Sequence, residues 1–248
     1  MSEGTRRVRW VAGSAVALAA LFAGAATVAS AGGDDGDHPA ATAPAVPAAG
    51  SADAGFAQDM AVHHQQAVEM SFIVRDRTQD EDVRRFAYDI ANTQANQRGM
   101  LLGWLDLWEL PKTSAGQEPM AWMREPSADG HEGHDMASMP GMDMGDGSGD
   151  ADAPDGGYQP HDGSLMPGMA TRTELDALRR AGGKRAEVLY LRLMTDHHKG
   201  GIAMARGCVR LCTVKAEKRL AQGMVDAQQS ELDAMAALLK ERGAAPRG

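Results

Sequence analysis

Two histidine pairs set between methionines carry the donors of a soft-metal site. Met60-x₂-His63-His64-x₅-Met70 recurs as Met194-x₂-His197-His198-x₅-Met204. The two copies align without a gap at an offset of 134 residues, from 56–105 onto 190–239. Only eight positions in that alignment are identical, and four of them are Met, His, His and Met. Divergence has rewritten the scaffold and kept thioether and imidazole groups. Thioethers favour Cu(I), and imidazole suits both copper oxidation states and zinc, so the combination points to copper.

Helical steps of three and four place Met60, His63, Ala67, Met70 and Val74 on one stripe. The second copy gives Met194, His197, Gly201, Met204 and Cys208. His64 and His198 fall about 100° round, at the edge of each stripe. Ala67 and Gly201 leave room beside the ligands. On the partner helices the matching stripes read Ile90, Gln94, Gln97, Leu101 and Met224, Gln228, Glu231, Met235. Their polar members are ligands or acceptors for imidazole N–H groups. Methionine at such spacing often serves only as adaptable core filling. Four buried imidazoles are harder to place without partners for their nitrogens. The candidate ligands are therefore Met60, His63, His64 and Met70 in the first copy. In the second they are Met194, His197, His198, Met204, Cys208, Glu231 and Met235. A di-iron carboxylate site would call for Glu-x-x-His pairs, and neither motif helix has one.

Weaker candidates lie elsewhere. Cys212 follows Cys208 by four residues, on the same face of a continuing helix. A disulfide there would be strained, so a metal pair or two small buried side chains are the easier readings. His131, His134, Met136, Met139, Met142 and Met144 form a dense run of soft donors. Methionine is not a usual component of flexible linkers, which makes that run a candidate for copper capture.

The elements that position these groups are helical. With 43% hydrophobic but only 4% aromatic residues, the chain suits helix packing better than a sheet. Residues 53–110 read as a first helical hairpin and 171–242 as a second, the pair forming one four-helix bundle. Thr78-x₂-Glu81 and Thr171-x₂-Glu174 are candidate capping boxes, Pro111 stops the second helix, and Gly182-Gly183 ends a short one. Residues 32–52 read as a flexible linker, and 111–170 as a disordered insertion rich in Met, His, Gly and Asp.

Arg6, Arg7 and Arg9 precede an uncharged run ending in Ala29-Ser30-Ala31, so residues 1–31 read as a cleaved export signal, with an uncleaved membrane anchor as the alternative. The remaining chain would lie outside the cytoplasmic membrane. It carries 22 basic against 33 acidic residues, a balance that attracts cations and argues against nucleic acid. No nucleophilic triad or phosphate-binding loop stands out.

Met166-Pro167-Gly168-Met169, Glu174-Leu175-x₂-Leu178 and Tyr190-Leu191-x₂-Met194-x₂-His197-His198-x₂-Gly201-Ile202-Ala203-Met204-Ala205 closely resemble the DUF305 family, as does Gln228-x₂-Glu231-Leu232-x₂-Met235. The resemblance covers nearly all of the C-terminal half and Phe56 to Trp104 of the N-terminal half, as two tandem copies. It implies a ferritin-like fold and, through periplasmic members of the CopM type, copper binding and copper tolerance. A copper chaperone or exporter is then the natural partner. The first copy departs from the pattern: it lacks the Met-Pro-x-Met leader and has Gln97 for Glu231 and Leu101 for Met235. The C-terminal hairpin is accordingly the stronger expected site. The competing functions are a ferritin-like metal-dependent oxidoreductase and a helical interaction module without metal.

Overall fold

Side-chain caps set where the helices begin. Ser51 accepts a hydrogen bond from the Ala54 amide at 3.2 Å and opens α1, Ala52–Arg77. Asp80 accepts from the Val83 amide at 2.9 Å and opens α2, Glu81–Leu107. Thr171 and Glu174 form a reciprocal capping box at the start of α3, Arg172–Arg180. Two long helices follow, α4 (Gly183–Leu211) and α5 (Lys215–Glu241). The computed structural model describes residues 46–113, 116–124 and 158–247. Among these, the all-α four-helix bundle implied by the repeat is present, and no helix is long and apolar enough to cross a membrane.

Two local expectations need correction. Thr78 does not head a capping box with Glu81. It is the C-cap of α1, and its hydroxyl donates to Glu187 on α4 at 2.5 Å while accepting from the Asp80 amide at 3.0 Å. That cross-bundle bond takes the side chain away from α2, and Asp80 caps instead. Pro111 is not what ends α2 either. Glu109 adopts φ 55°, and the Leu110 amide bonds back to the Leu105 carbonyl at 2.9 Å, closing the helix first.

α2 packs on α1, α1 on α4, and α4 on α5. The apolar core divides into two clusters. One holds Met70, Val74, Ile90, Tyr190, Met194 and Met235, the other Phe56, Met60, Leu101, Leu105, Met204 and Met224. Met70 follows His63 in sequence while Met194 precedes His197, yet both belong to the first cluster. Met60 and Met204 pair in the reverse sense in the second. The two motif helices therefore run antiparallel, with a pseudo-twofold relation between the copies.

Both described ends of the 111–170 segment reach this bundle. A 3₁₀ turn, Ala121–Met123, sets the Trp122 ring edge-on to Phe56, 5.7 Å between centroids. Asp59 accepts from the Trp122 indole N–H at 2.9 Å and the Met120 amide at 2.8 Å. At the other end Gly168 takes φ 80° and lies flush on α4. A Cβ on Gly200 would sit 2.1 Å from the Pro167 carbonyl oxygen, which is backbone and cannot rotate away. Gly200→Ala is therefore expected to cost about 1–3 kcal/mol by overpacking. Urea unfolding measures it, and a variant as stable as wild type would contradict this packing.

Candidate metal centre

Between the two apolar clusters lies a polar layer. Its members are His63 and His64 on α1, His197 and His198 on α4, Gln94 and Gln97 on α2, and Gln228 and Glu231 on α5. All four histidines are completely buried. Their neighbours in sequence explain the depth: each pair sits mid-helix between the methionines that anchor the clusters on either side.

The copies obey one hydrogen-bonding rule. His64 Nε2 donates to Gln97 Oε1 at 2.9 Å, and its counterpart His198 Nε2 donates to Glu231 Oε2 at 2.7 Å. His197 Nε2 donates to the His63 carbonyl at 3.0 Å. Those oxygens accept, so each of these three rings carries a hydrogen on Nε2, and the neutral His64 and His197 rings keep a bare lone pair on Nδ1. None of these Nδ1 atoms has a hydrogen-bond partner, and neither does either nitrogen of His63. The amides of Gln94 and Gln228 are likewise buried and unpaired. Buried polar atoms in native proteins are normally satisfied. So many orphans in one layer mark a place prepared for something polar or ionic.

At the pseudo-twofold axis the His63 and His197 rings stack, 3.7 Å between centroids and tilted by 33°. Gly201 makes this possible: a Cβ there would meet Gln228 Oε1 at 2.6 Å and His63 Cε1 at 3.3 Å. Burial is the main reason these rings stay neutral. It pulls His63 down to about 3, with repulsion from His64 and His198 adding and the nearby Pro167 carbonyl opposing. It pulls His64 to about 3, opposed by the Gln97 bond and aided by His198. His197 falls well below the usual range through burial and repulsion from His63 and His198. Neutral imidazole is the form that binds metal.

The predicted ligands divide accordingly. His63 and His197 come together from the two hairpins, His64 and His198 lie beside them on their acceptors Gln97 and Glu231, and no three of the four rings bring ligand nitrogens to one point among the described residues. Met60, Met70, Met194 and Met204 are fully buried in the clusters that floor and roof the layer. Met235 lies in the first cluster, where its sulfur accepts from Thr195 Oγ1 at 3.7 Å. Glu231 orients His198 rather than standing free as a donor. Its removal therefore tests orientation: where the layer holds a metal through His198, Glu231→Ala should weaken that binding about 10–100-fold. Unchanged affinity in a metal titration would contradict that role. His131, His134, Met136, Met139, Met142 and Met144 lie outside the described residues, as does the expected export signal.

Cys208 and Cys212 do not join the layer, and the ranking of a metal pair or two small buried side chains above a disulfide is corrected: they form a disulfide. α4 ends at Leu211, and Cys212 takes an extended backbone, φ −65° and ψ 150°, leaving the Cα atoms 4.8 Å apart, within disulfide range. A disulfide would be strained only on a helix that continued through Cys212. Sequence reading also missed Glu217 beside them, completely buried in the first turn of α5. Burial and the Asp53 carboxylate push its carboxyl up to about 9. Pro167 and Gly200 were missed as well, though the Met-Pro-Gly-Met run and the paired glycines gave the signal.

The family profile described as "Domain of unknown function (DUF305)" matches residues 53–239. A solved protein from Streptomyces coelicolor, described as a secreted DUF305 protein, is 54% identical over 81% of this chain and 99% of its own, with a TM-score of 0.63. A DUF305 fragment from Deinococcus radiodurans is 24% identical, covers 77% and 96%, and has a TM-score of 0.54, a likeness of fold. CopM in its Cu(II)-bound form is 18% identical over 77% and 96%, at a TM-score of 0.47, a distance at which likeness says nothing about function. No functionally curated protein matches the sequence.

Proposed function

This chain belongs to the DUF305 family, whose description assigns no activity, and we propose from its buried histidine layer that it binds copper outside the cytoplasmic membrane and sequesters it or hands it on. The observation that carries the reading is the set of buried, unpaired Nδ1 atoms on all four histidines, three of them with Nε2 already committed to fixed acceptors. Such second-sphere bonds hold a ring's orientation and raise its basicity as a ligand. Four imidazoles with thioethers packed above and below are soft to borderline donors, favouring copper over hard cations. A single carboxylate, Glu231, answers to Gln97 in the other copy, which does not fit the carboxylate-rich di-iron pattern.

The stacked His63 and His197 rings face each other rather than point lone pairs at a common centre, so loading requires the pair to part. The run from His131 to Met144 offers donors of the same softness and belongs to this reading as a capture segment. Two observations support the location. The 54% identical Streptomyces protein is described as secreted, and the Cys208–Cys212 disulfide suits an oxidising compartment.

Equilibrium dialysis of the full chain against Cu(I) and Cu(II) tests the proposal. Wild type should retain copper, and a variant with all four histidines changed to alanine should lose its tight fraction. Equal retention by the two would overturn it.

A further inference from the structure

A second convergence of donors lies apart from the histidine layer. The sulfurs of Cys208 and Cys212 and a carboxylate oxygen of Glu217 all fall within 4.8 Å of one another. All three residues are buried, Glu217 completely. The one polar group against Glu217 among the described residues is another acid, the Asp53 carboxyl, so a protonated Glu217 faces a group of its own charge type. Asp53, reaching across from α1, spends its own oxygens on the turn between α4 and α5. It accepts from the Thr213 amide at 2.8 Å, the Val214 amide at 2.7 Å and the Thr213 hydroxyl at 3.1 Å. The turn is thus satisfied without Glu217. A carboxyl buried against a second carboxyl is costly, and packing alone would favour an apolar residue at this position.

We propose that the disulfide is the closed form of a second metal site, opened by reduction, in which the thiolates of Cys208 and Cys212 and the carboxylate of Glu217 bind Zn(II). Two sulfurs and one hard oxygen make a borderline donor set, which suits zinc better than the all-soft preference of Cu(I). The redox step is a thiol–disulfide exchange. A dithiol supplies two electrons and two protons, its own sulfurs join, and the Cys208–Cys212 bond gives way to two thiols. Zinc then displaces both thiol protons and any proton on Glu217. The short turn Cys212–Val214 is where reductant reaches the bond, because Thr213 there is exposed. The site is independent of copper binding in the histidine layer, which is measured with the disulfide intact.

The test uses the full chain, oxidised or reduced with dithiothreitol that is then removed, and Co(II) as a spectroscopic stand-in for zinc. The reduced protein should show a near-ultraviolet thiolate-to-cobalt charge-transfer band, saturating at one equivalent and bleached by Zn(II). Imidazole ligands give no such band. It should be missing from the oxidised protein and from C208S/C212S. Glu217→Gln should weaken binding by about tenfold or more, in line with losses at metal sites. If the reduced apoprotein loses helical signal, Zn(II) should restore it in wild type and not in C208S/C212S. No band in the reduced protein, no such restoration, or equal affinity in Glu217→Gln would each overturn the proposal.

Discussion

Changing His63 and His197 together to alanine should lower copper affinity by more than about a hundredfold, beyond the 10–100-fold that follows when only the groups behind a ligand are lost. The two rings meet at the pseudo-twofold axis, 3.7 Å apart, and each hairpin supplies one. His64→Ala with His198→Ala should cost comparably, because those rings carry the fixed Nε2 bonds to Gln97 and Glu231. The double variants must be read beside circular dichroism, since they also leave cavities. Competition titration against a chromophoric copper chelator gives the affinities. Tight binding that survives in H63A/H197A and vanishes when residues 125–157 are deleted would move the copper site out of the bundle altogether.

The second large effect is on acid stability. His63, His64 and His197 all titrate below the ordinary value of 6.5 when folded, His63 and His64 at about 3. Below 6.5 the unfolded chain takes up protons that the buried rings refuse, so protonation favours unfolding. The stability these neutral rings allow is present above about 6.5 and is lost progressively as pH falls toward the folded values. Each such histidine contributes a slope of up to about 1.4 kcal/mol per pH unit. Three together would make the apoprotein lose up to about 4 kcal/mol per unit. Between pH 6.5 and 5 ordinary carboxylates change little, but Glu217, held up to about 9 when folded, opposes the histidines by up to about 1.4 kcal/mol per unit, so the difference between wild type and H63A/H197A under urea isolates the effect. The slope should flatten in H63A/H197A, and bound copper should hold stability up by mass action. A wild-type apoprotein equally stable at pH 6.5 and 5 would contradict neutral burial of these rings.

Much of this was legible in the chain because helical geometry is local. Steps of three and four put Met60, His63, Met70 and their counterparts on buried stripes, and the offset of 134 paired the hairpins before any contact was known. The same reasoning brought Gln97 and Glu231 toward the bundle interior as ligands or acceptors; that they bond to His64 and His198 is seen only in the structure. Spacing could not reveal contacts made through chain ends and loops. Thr78 lost its capping role to Glu187, 109 residues away. Cys212 pairs with Cys208 only because α4 stops one residue short of it. Trp122 sits in a stretch of Gly, Pro and acidic residues whose composition gives no sign that Asp59 and Phe56 await it on α1. Glu217 looks like an ordinary first-turn acid and is buried by the fold around it. The methionines mark the remaining limit: periodicity placed them in the core, and burial in apolar clusters is equally the behaviour of good packing residues.

The most direct test is a crystal structure of the copper-loaded protein with anomalous scattering recorded at the copper edge. The account predicts a copper peak within the buried layer, bonded to histidine nitrogens from both hairpins, with the His63 and His197 rings parted from their stack. A copper peak only at surface residues, or none in a layer that remains stacked, would contradict it.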